Sequence, residues 1–223
     1  VFPADTITKG IGKMAFTFFF RDLQTLELIR EHALPTLKGR SHIDIWDAGC
    51  AMGPEPYTLA IIIRESMGHF LFRNVRIFAT DVDGSNLFGK TIEDGIYPRE
   101  MVERIPKELF DRYFEATSEK PDHFIIREDL RKCIRFERHD LLSLTPPRTN
   151  VSLILCKNVL LHFSEQERIE VMSMFHETLD DGGYFVTEQT QKLPEQLNHL
   201  FEPIVSNAQI FRKVLSGAAR KAS

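Results

Sequence analysis

Apolar positions along the chain repeat at two alternating spacings, and the order of those spacings predicts the architecture. Leu23, Leu26, Ile29 and Ala33 recur at helical spacing and stop near Pro35. Ile43–Ala48 is short, apolar and rich in β-branched residues, which predicts a strand. Leu59, Ile62, Ile63 and Met67 form a helical stripe after Pro56. Residues 75–80 read as a second strand and 86–93 as the helix that follows. The continuous apolar run 151–156 is the pattern of a parallel strand buried on both faces. Ile169, Met172, Phe175 and Leu179 mark another helix, which Gly182 and Gly183 are expected to close as a C-cap. Residues 184–187 and 210–214 supply late strands. Strand and helix alternating in this way predict an α/β fold with a parallel sheet.

The stretch 95–138 breaks this rhythm. A short helical piece at 106–112 precedes strand-like runs at 113–115, 124–127 and 134–137, and the polar 117–123 reads as a hairpin loop. Together they predict a small antiparallel β-subdomain inserted at 95–138. Around it, 1–22 reads as an N-terminal segment and linker, 23–216 as the main domain, and 217–223 as a frayed tail.

Composition narrows the function classes. The 223 residues suffice for a medium domain with a subdomain, and 43% hydrophobic with 27% charged residues excludes wholesale disorder. Lys plus Arg is 28 against 32 Asp plus Glu, a net charge of −4. A field of that sign does not draw nucleic acid, so no nucleic-acid partner is expected. No apolar run approaches the roughly 18 residues that span a bilayer, and no direct membrane insertion is expected; the longest pieces are 14–20 and 59–63. Cys50, Cys133 and Cys156 are odd in number and widely spaced, which fits neither a disulfide framework nor a zinc ribbon. No signal-peptide pattern opens the chain, so a reducing, cytoplasmic setting is expected. No group of His, Cys and Asp has metal-ligand spacing, and no metal is expected. A start at Val1 rather than Met leads us to expect a fragment of a longer protein.

Candidate chemistry concentrates where the first strand ends. Asp47-Ala48-Gly49-Cys50-Ala51-Met52-Gly53 runs from strand to helix, with Glu55 at the helix start. Gly49 and Gly53 let a ligand approach the backbone where a Cβ would collide, and a helix N-terminus offers free amides. Asp81 directly follows the second strand, where a carboxylate can accept both hydroxyls of a ribose. The bland readings are a tight connection and a turn-initiating Asp. Charge separates the candidate ligands. A pyrophosphate wants amides without a nearby anion, whereas Asp47 and Glu55 suit an ammonium and a sulfonium. S-adenosylmethionine is therefore favoured over NAD.

These residues also carry a resemblance. Trp46-Asp47-Ala48-Gly49-Cys50 with Gly53-Pro54-Glu55-Pro56-Tyr57-Thr58-Leu59-Ala60 resembles the cofactor signature of the CheR-type chemotaxis receptor methyltransferases. Phe19-Phe20-Arg21, Ala79-Thr80-Asp81-Val82-Asp83, Cys156-Lys157-Asn158-Val159-Leu160-Leu161-His162-Phe163, and Gly182-Gly183 followed by Thr187-Glu188 are similar in the same order. The resemblance implies an S-adenosylmethionine-dependent methyltransferase fold, doubly wound around a mostly parallel seven-stranded sheet, with the small β-subdomain inserted. It implies methyl transfer to glutamate side chains on cytoplasmic helices of methyl-accepting chemotaxis receptors, with S-adenosylhomocysteine as product. By the same resemblance, Thr17 and Arg21 reach the cofactor or the reacting carboxylate, and Glu55 and Asp81 bind the cofactor. Asp140, Leu141, Cys156 and Lys157 would line its adenine and methionine parts, and Arg21 and His162 form the expected catalytic pair.

Departures from the family pattern matter too. Ala15 stands for an asparagine, Pro54 for an acidic residue, Lys157 for an arginine, Asp140 for an asparagine and His162 for a tyrosine. The basic N-terminal helical domain typical of the family is not expected within this sequence, and the loop 117–123 has no glycine. Dependence on a receptor C-terminal pentapeptide is accordingly not expected. The departures open a second reading, a catalytically weakened adenosyl-cofactor-binding sensor or scaffold.

In the enzyme reading no general base is needed, because a carboxylate is already a nucleophile at neutral pH; positioning alone contributes roughly 7–11 kcal/mol. Arg21 is expected to orient that carboxylate through a bidentate contact, or else to pair with a surface acid. His162 is expected to donate a hydrogen bond in place of the tyrosine hydroxyl, or else to be a satisfied core histidine. Glu188 reads as a structural partner or a ligand contact, Cys50 and Cys156 as small fillers, and Phe16, Phe18, Phe19 and Phe20 as packing.

Overall fold

The computed structural model describes residues 17–215 apart from Glu119 and Asn207. Ala15, Phe16 and the expected tail 217–223 lie outside the described residues. The chain opens with α1 (Leu23–Leu28), which passes through a π turn at Ile29–Ala33 into α2 (Leu34–Leu37). Pro35 explains the π turn rather than the expected stop. It lacks an N–H, and the Leu34 amide reaches back to Ile29 O, so the ladder widens and continues for one more turn.

Then come β1 (Ile43–Ala48), α3 (Pro54–Phe72), β2 (Val75–Asp81) and α4 (Phe88–Asp94). A second group follows: β3 (Ile96–Pro98), α5 (Arg99–Val102), α6 (Lys107–Tyr113), β4 (Phe114–Ala116), β5 (His123–Ile126) and α7 (Glu128–Arg131). The chain ends with β6 (Ile134–Arg138), β7 (Val151–Leu155), α8 (Glu165–Thr178), β8 (Leu179–Val186), β9 (Phe201–Pro203) and β10 (Ile210–Lys213).

Seven strands form one sheet in the order β6-β2-β1-β7-β8-β10-β9. The first five are mutually parallel, and β10 runs antiparallel to both of its neighbours. The separate small sheet is antiparallel, in the order β3-β5-β4. The mostly parallel seven-stranded sheet with a small antiparallel companion is the expected fold class.

Both faces of the large sheet are covered, which is why its central strands read as unbroken apolar runs. Alternate residues serve opposite faces. Ile43, Ile45, Leu153 and Leu155 join one core with Leu59, Ile62 and Ile63 of α3. Trp46, Ala48, Ile154 and Cys156 join the other with Val171, Met172 and Phe175 of α8.

Two expectations need correction. The run 134–137 does not belong to the inserted sheet: as β6 it pairs in parallel with β2, Ile134 opposite Ile77, and forms an edge of the large sheet. Its half-buried alternation suits an edge of either sheet, so the local pattern does not choose between them. β3, too short to stand out, supplies the third strand of the small sheet instead. Gly182 and Gly183 do not cap α8, which ends at Thr178 with Leu179 already extended. They lie within β8 at a bulge: Val151 pairs with Leu179 but Leu153 with Tyr184, and Gly182 takes φ 73° there.

Candidate active site

The chain order of the large sheet reverses at β1, with β2 on one side and β7 on the other. Ligands of open α/β sheets bind beyond the carboxyl ends of the strands at such a point. A cavity of about 310 Å³ lies there. The turn after β1 brings Gly49, Cys50 and Ala51 to it, and the end of β2 brings Thr80, Asp81 and Val82. His139, Asp140 and Leu141 follow β6, and Lys157, Asn158, Val159, His162 and Phe163 follow β7. Thr17 and Arg21 reach in from the segment before α1, and Glu55 from the start of α3.

The turn after β1 is locked to the neighbouring strand. The Gly49 and Cys50 amides both donate to Thr80 O, at 2.7 and 3.0 Å, and the Ala51 amide donates to Asp81 Oδ2 at 3.0 Å. Gly49 has φ 98°, and a Cβ there would lie 2.1 Å from Val159, so only glycine fits. Gly53 has φ 100° for a different reason. It is absent from the cavity lining, and a Cβ there would meet Ile92 and the Tyr97 hydroxyl, each at 2.6 Å. Its service is to pack α3 against the elements beside it. Cys156 is likewise absent from the lining, fully buried, with a thiol pushed well up by burial and then by Glu188; it is a filler.

The strand ends assemble a buried charge cluster. Lys157 Nζ lies 2.9 Å from Glu55 Oε2 and 3.6 Å from Asp22 Oδ2, as ion contacts rather than aligned hydrogen bonds. Burial alone would lower this lysine, yet Glu55, and with it Asp22 and Asp47, holds its pKa above the ordinary value. Asp47 is fully buried beside Glu55, and burial followed by the Glu55 charge pushes its carboxyl well above the usual carboxylate range.

Arg21 depends on a relay of hydrogen bonds. Its Nη2 donates to Asn158 Oδ1 at 3.4 Å. Asn158 adopts φ 58°, and its amide donates to Glu188 Oε2 at 2.9 Å; the same oxygen accepts from Thr187 Oγ1 at 2.7 Å. Phe20 and Asp22, on either side of Arg21, also take left-handed conformations, at φ 58° and 55°. This tight turn is anchored by the Phe20 amide, which donates to Thr58 Oγ1 at 3.1 Å. Phe19 anchors it further, packing edge-on against Tyr97 and Phe114 of the insertion at 5.0 and 5.4 Å. His162 is exposed at the cavity, in the 3-10 turn Leu160–His162, which sets aside the core-histidine reading. The Ser164–Glu167 capping box starts α8 just beyond it.

Of the residues expected at the site, Thr17, Arg21, Gly49, Glu55, Asp81, Asp140, Leu141, Lys157 and His162 line the cavity, and Gly53 and Cys156 do not. Sequence reasoning missed Asn158, although it stands inside a quoted motif, and also Asp22 and His139.

A family model described as the CheR methyltransferase, SAM binding domain, matches residues 15–210. The chain belongs to this family. A chemotaxis protein methyltransferase of Borreliella burgdorferi is 31% identical over 185 residues, covering 79% of this chain and 64% of that protein. Chemotaxis protein methyltransferase 1 of Pseudomonas aeruginosa is 30% identical over 190 residues, covering 80% of this chain and 68% of that one. The chain therefore spans about two thirds of the length of these two relatives. Among solved structures, the rRNA methyltransferase aviRa from Streptomyces viridochromogenes shares the fold, with TM-score 0.53 at 15% identity over 89% of this chain and 86% of that one.

Family membership makes S-adenosylmethionine the cofactor of this domain, and the residues fit it. The turn at Gly49 brings its backbone to the cavity, Asp81 stands at the tip of β2, and buried carboxyls outnumber the ammonium beside them. Among the described residues no helix is long and apolar enough to cross a membrane.

Proposed function

We propose that this CheR-family domain methylates glutamate side chains on cytoplasmic helices of chemoreceptors, forming methyl esters, and does so in the cytoplasm without a receptor C-terminal pentapeptide. The observation that carries the reading is the convergence of Arg21 and the exposed His162 on the cavity that Asp81 and Glu55 also line. When bound, the cofactor supplies an electrophilic methyl group.

All other steps fall to the chain. Asp81 holds the ribose hydroxyls and Glu55 the ammonium, while Asp140 and Leu141 flank the adenine. Arg21 fixes the incoming carboxylate through its guanidinium fork, oriented by Asn158. No residue needs to remove a proton, because the glutamate is ionised at neutral pH. The Arg21 contact has to stay modest, since over-stabilising the anion would raise the barrier. His162 donates a hydrogen bond to the carboxylate from the other side. The presence of Arg21, Glu55 and Asp81 together supports an enzyme over a sensor.

The test is methyl transfer from labelled S-adenosylmethionine to receptor cytoplasmic fragments. Label that alkali releases, as an ester must, is the expected result. Cofactor binding without transfer to any fragment would overturn the enzyme reading.

A further inference from the structure

Pro56, at the start of α3, has no N–H to offer the carbonyl four residues before it, that of Met52 in the turn after β1. Met52 O instead accepts from the Tyr97 hydroxyl at 2.8 Å, a donor that β3 of the inserted sheet supplies. Tyr97 is fully buried. Its ring stands edge-on to Phe19 at 5.0 Å and to Tyr57 of α3 at 6.0 Å. Phe114, from β4 of the same sheet, meets Phe19 at 5.4 Å. Phe19 immediately precedes the left-handed Phe20, so it fixes where the turn bearing Arg21 begins. The inserted sheet is itself tied down, since Tyr97 pairs with Phe124 of β5, and Arg112 and Tyr113 both donate to Glu65 of α3. One buried side chain thus touches both halves of the site without lining the cavity.

We propose that Tyr97 is a positioning residue with two separable duties. Its hydroxyl sets the turn that receives the cofactor, and its ring, with Phe114, sets the Phe19 anchor from which Arg21 reaches the reacting carboxylate. The inference rests on the reading of this cavity as a methyl-transfer site. The inserted sheet thereby takes part in the chemistry while touching neither reactant. Loss of the hydroxyl leaves the Met52 carbonyl without its donor, next to Ala51 in the cavity wall. Thr80 and Asp81 still hold Gly49, Cys50 and Ala51, so the turn loosens without collapsing. Loss of the aromatic anchor acts on the other side, where an error of about 1 Å in position can cost about a hundredfold in rate.

Two conservative variants separate the duties, read by calorimetry with S-adenosylhomocysteine and by kcat for labelled methyl transfer to receptor cytoplasmic fragments. Tyr97→Phe keeps the ring and should weaken binding about fivefold with kcat within about twofold of wild type. Phe19→Leu should lower kcat about tenfold with affinity within about twofold. Placed on Arg21→Ala, Phe19→Leu should lower turnover no further, because its effect runs through Arg21. Unchanged affinity in Tyr97→Phe would overturn the proposal, as would unchanged kcat in Phe19→Leu. Affinity and kcat falling together in either variant would mark a purely structural role, and so would a Phe19→Leu loss that adds in full to that of Arg21→Ala. The variants are independent, so one that fails to fold leaves the other to decide. Wild-type protein that binds the cofactor yet transfers no methyl group would overturn the enzyme reading, a separate outcome, and the affinity of Tyr97→Phe would still decide the role of the hydroxyl.

Discussion

On the strand-end side of the cavity, Gly49, Ala51 and Asp81 are held by main-chain ladders: β1 and β2 pair residue for residue up to Ala48 and Thr80, and the turn continues the bonding. On the loop side, Arg21 and His162 rest on a left-handed turn, a 3-10 turn and a few side-chain bonds. The contrast teaches that ligand binding is built into the register of the sheet, while the positioning of a reacting group depends on a small number of replaceable contacts. Substitutions on the two sides should therefore separate binding from turnover.

Arg21→Ala gives the largest expected effect and the sharpest test of that division. Turnover should fall by about a thousandfold, while calorimetry with S-adenosylhomocysteine should show affinity within about threefold of wild type. A comparable loss of binding would erase the distinction. Asp81→Ala attacks the other side, removing the proposed ribose acceptor and the brace on the Ala51 amide. Affinity should drop about a hundredfold, and undiminished binding would take Asp81 out of the cofactor site.

Glu188→Ala probes the link between the two sides, because a buried carboxylate at the end of β8 holds the Asn158 turn. About a tenfold loss of kcat with nearly unchanged affinity would mark it as a positioning residue for Arg21. A loss confined to affinity would move it to the strand-end group.

The smallest effect is on stability. Burial and the Glu55 charge hold the Asp47 carboxyl well above the ordinary aspartate range in the folded protein, so as pH rises through that range the unfolded chain ionises there first. The folded state then binds more protons at this position, and its stability falls as pH rises. Asp47→Asn escapes this penalty. Its Tm should exceed the wild-type value at pH 7, and the gap should close as the pH approaches 4.

The same division governs how much is legible in the sequence. β1 begins and ends where its apolar run does, and β2 runs one residue past its expected end to take in Asp81; both are legible because burial periodicity and turn chemistry are local properties. Arg21 and Asn158 are 137 positions apart, and Asn158 and Glu188 are 30 apart, distances at which no local pattern records a partner. The misplaced run 134–137 fails for the same reason, since its identity as β6 depends on which neighbour it meets. Gly53 misleads differently. A positive-φ glycine in a ligand-binding turn and one required by packing look alike until Ile92 and Tyr97 are seen against it.

The chain has one tryptophan. Trp46 is fully buried, donates its indole N–H to Thr80 Oγ1 at 2.9 Å, and lies edge-on to His139 and Phe175 at 5.6 and 5.2 Å. Thr80 and His139 both line the cavity. The protein thus contains a single fluorophore wired to its ligand site, whose emission responds to the field and contacts around the indole. One emission channel in a rapid-mixing experiment would time the arrival and departure of the cofactor without any label, and the red shift on unfolding would report stability from the same residue.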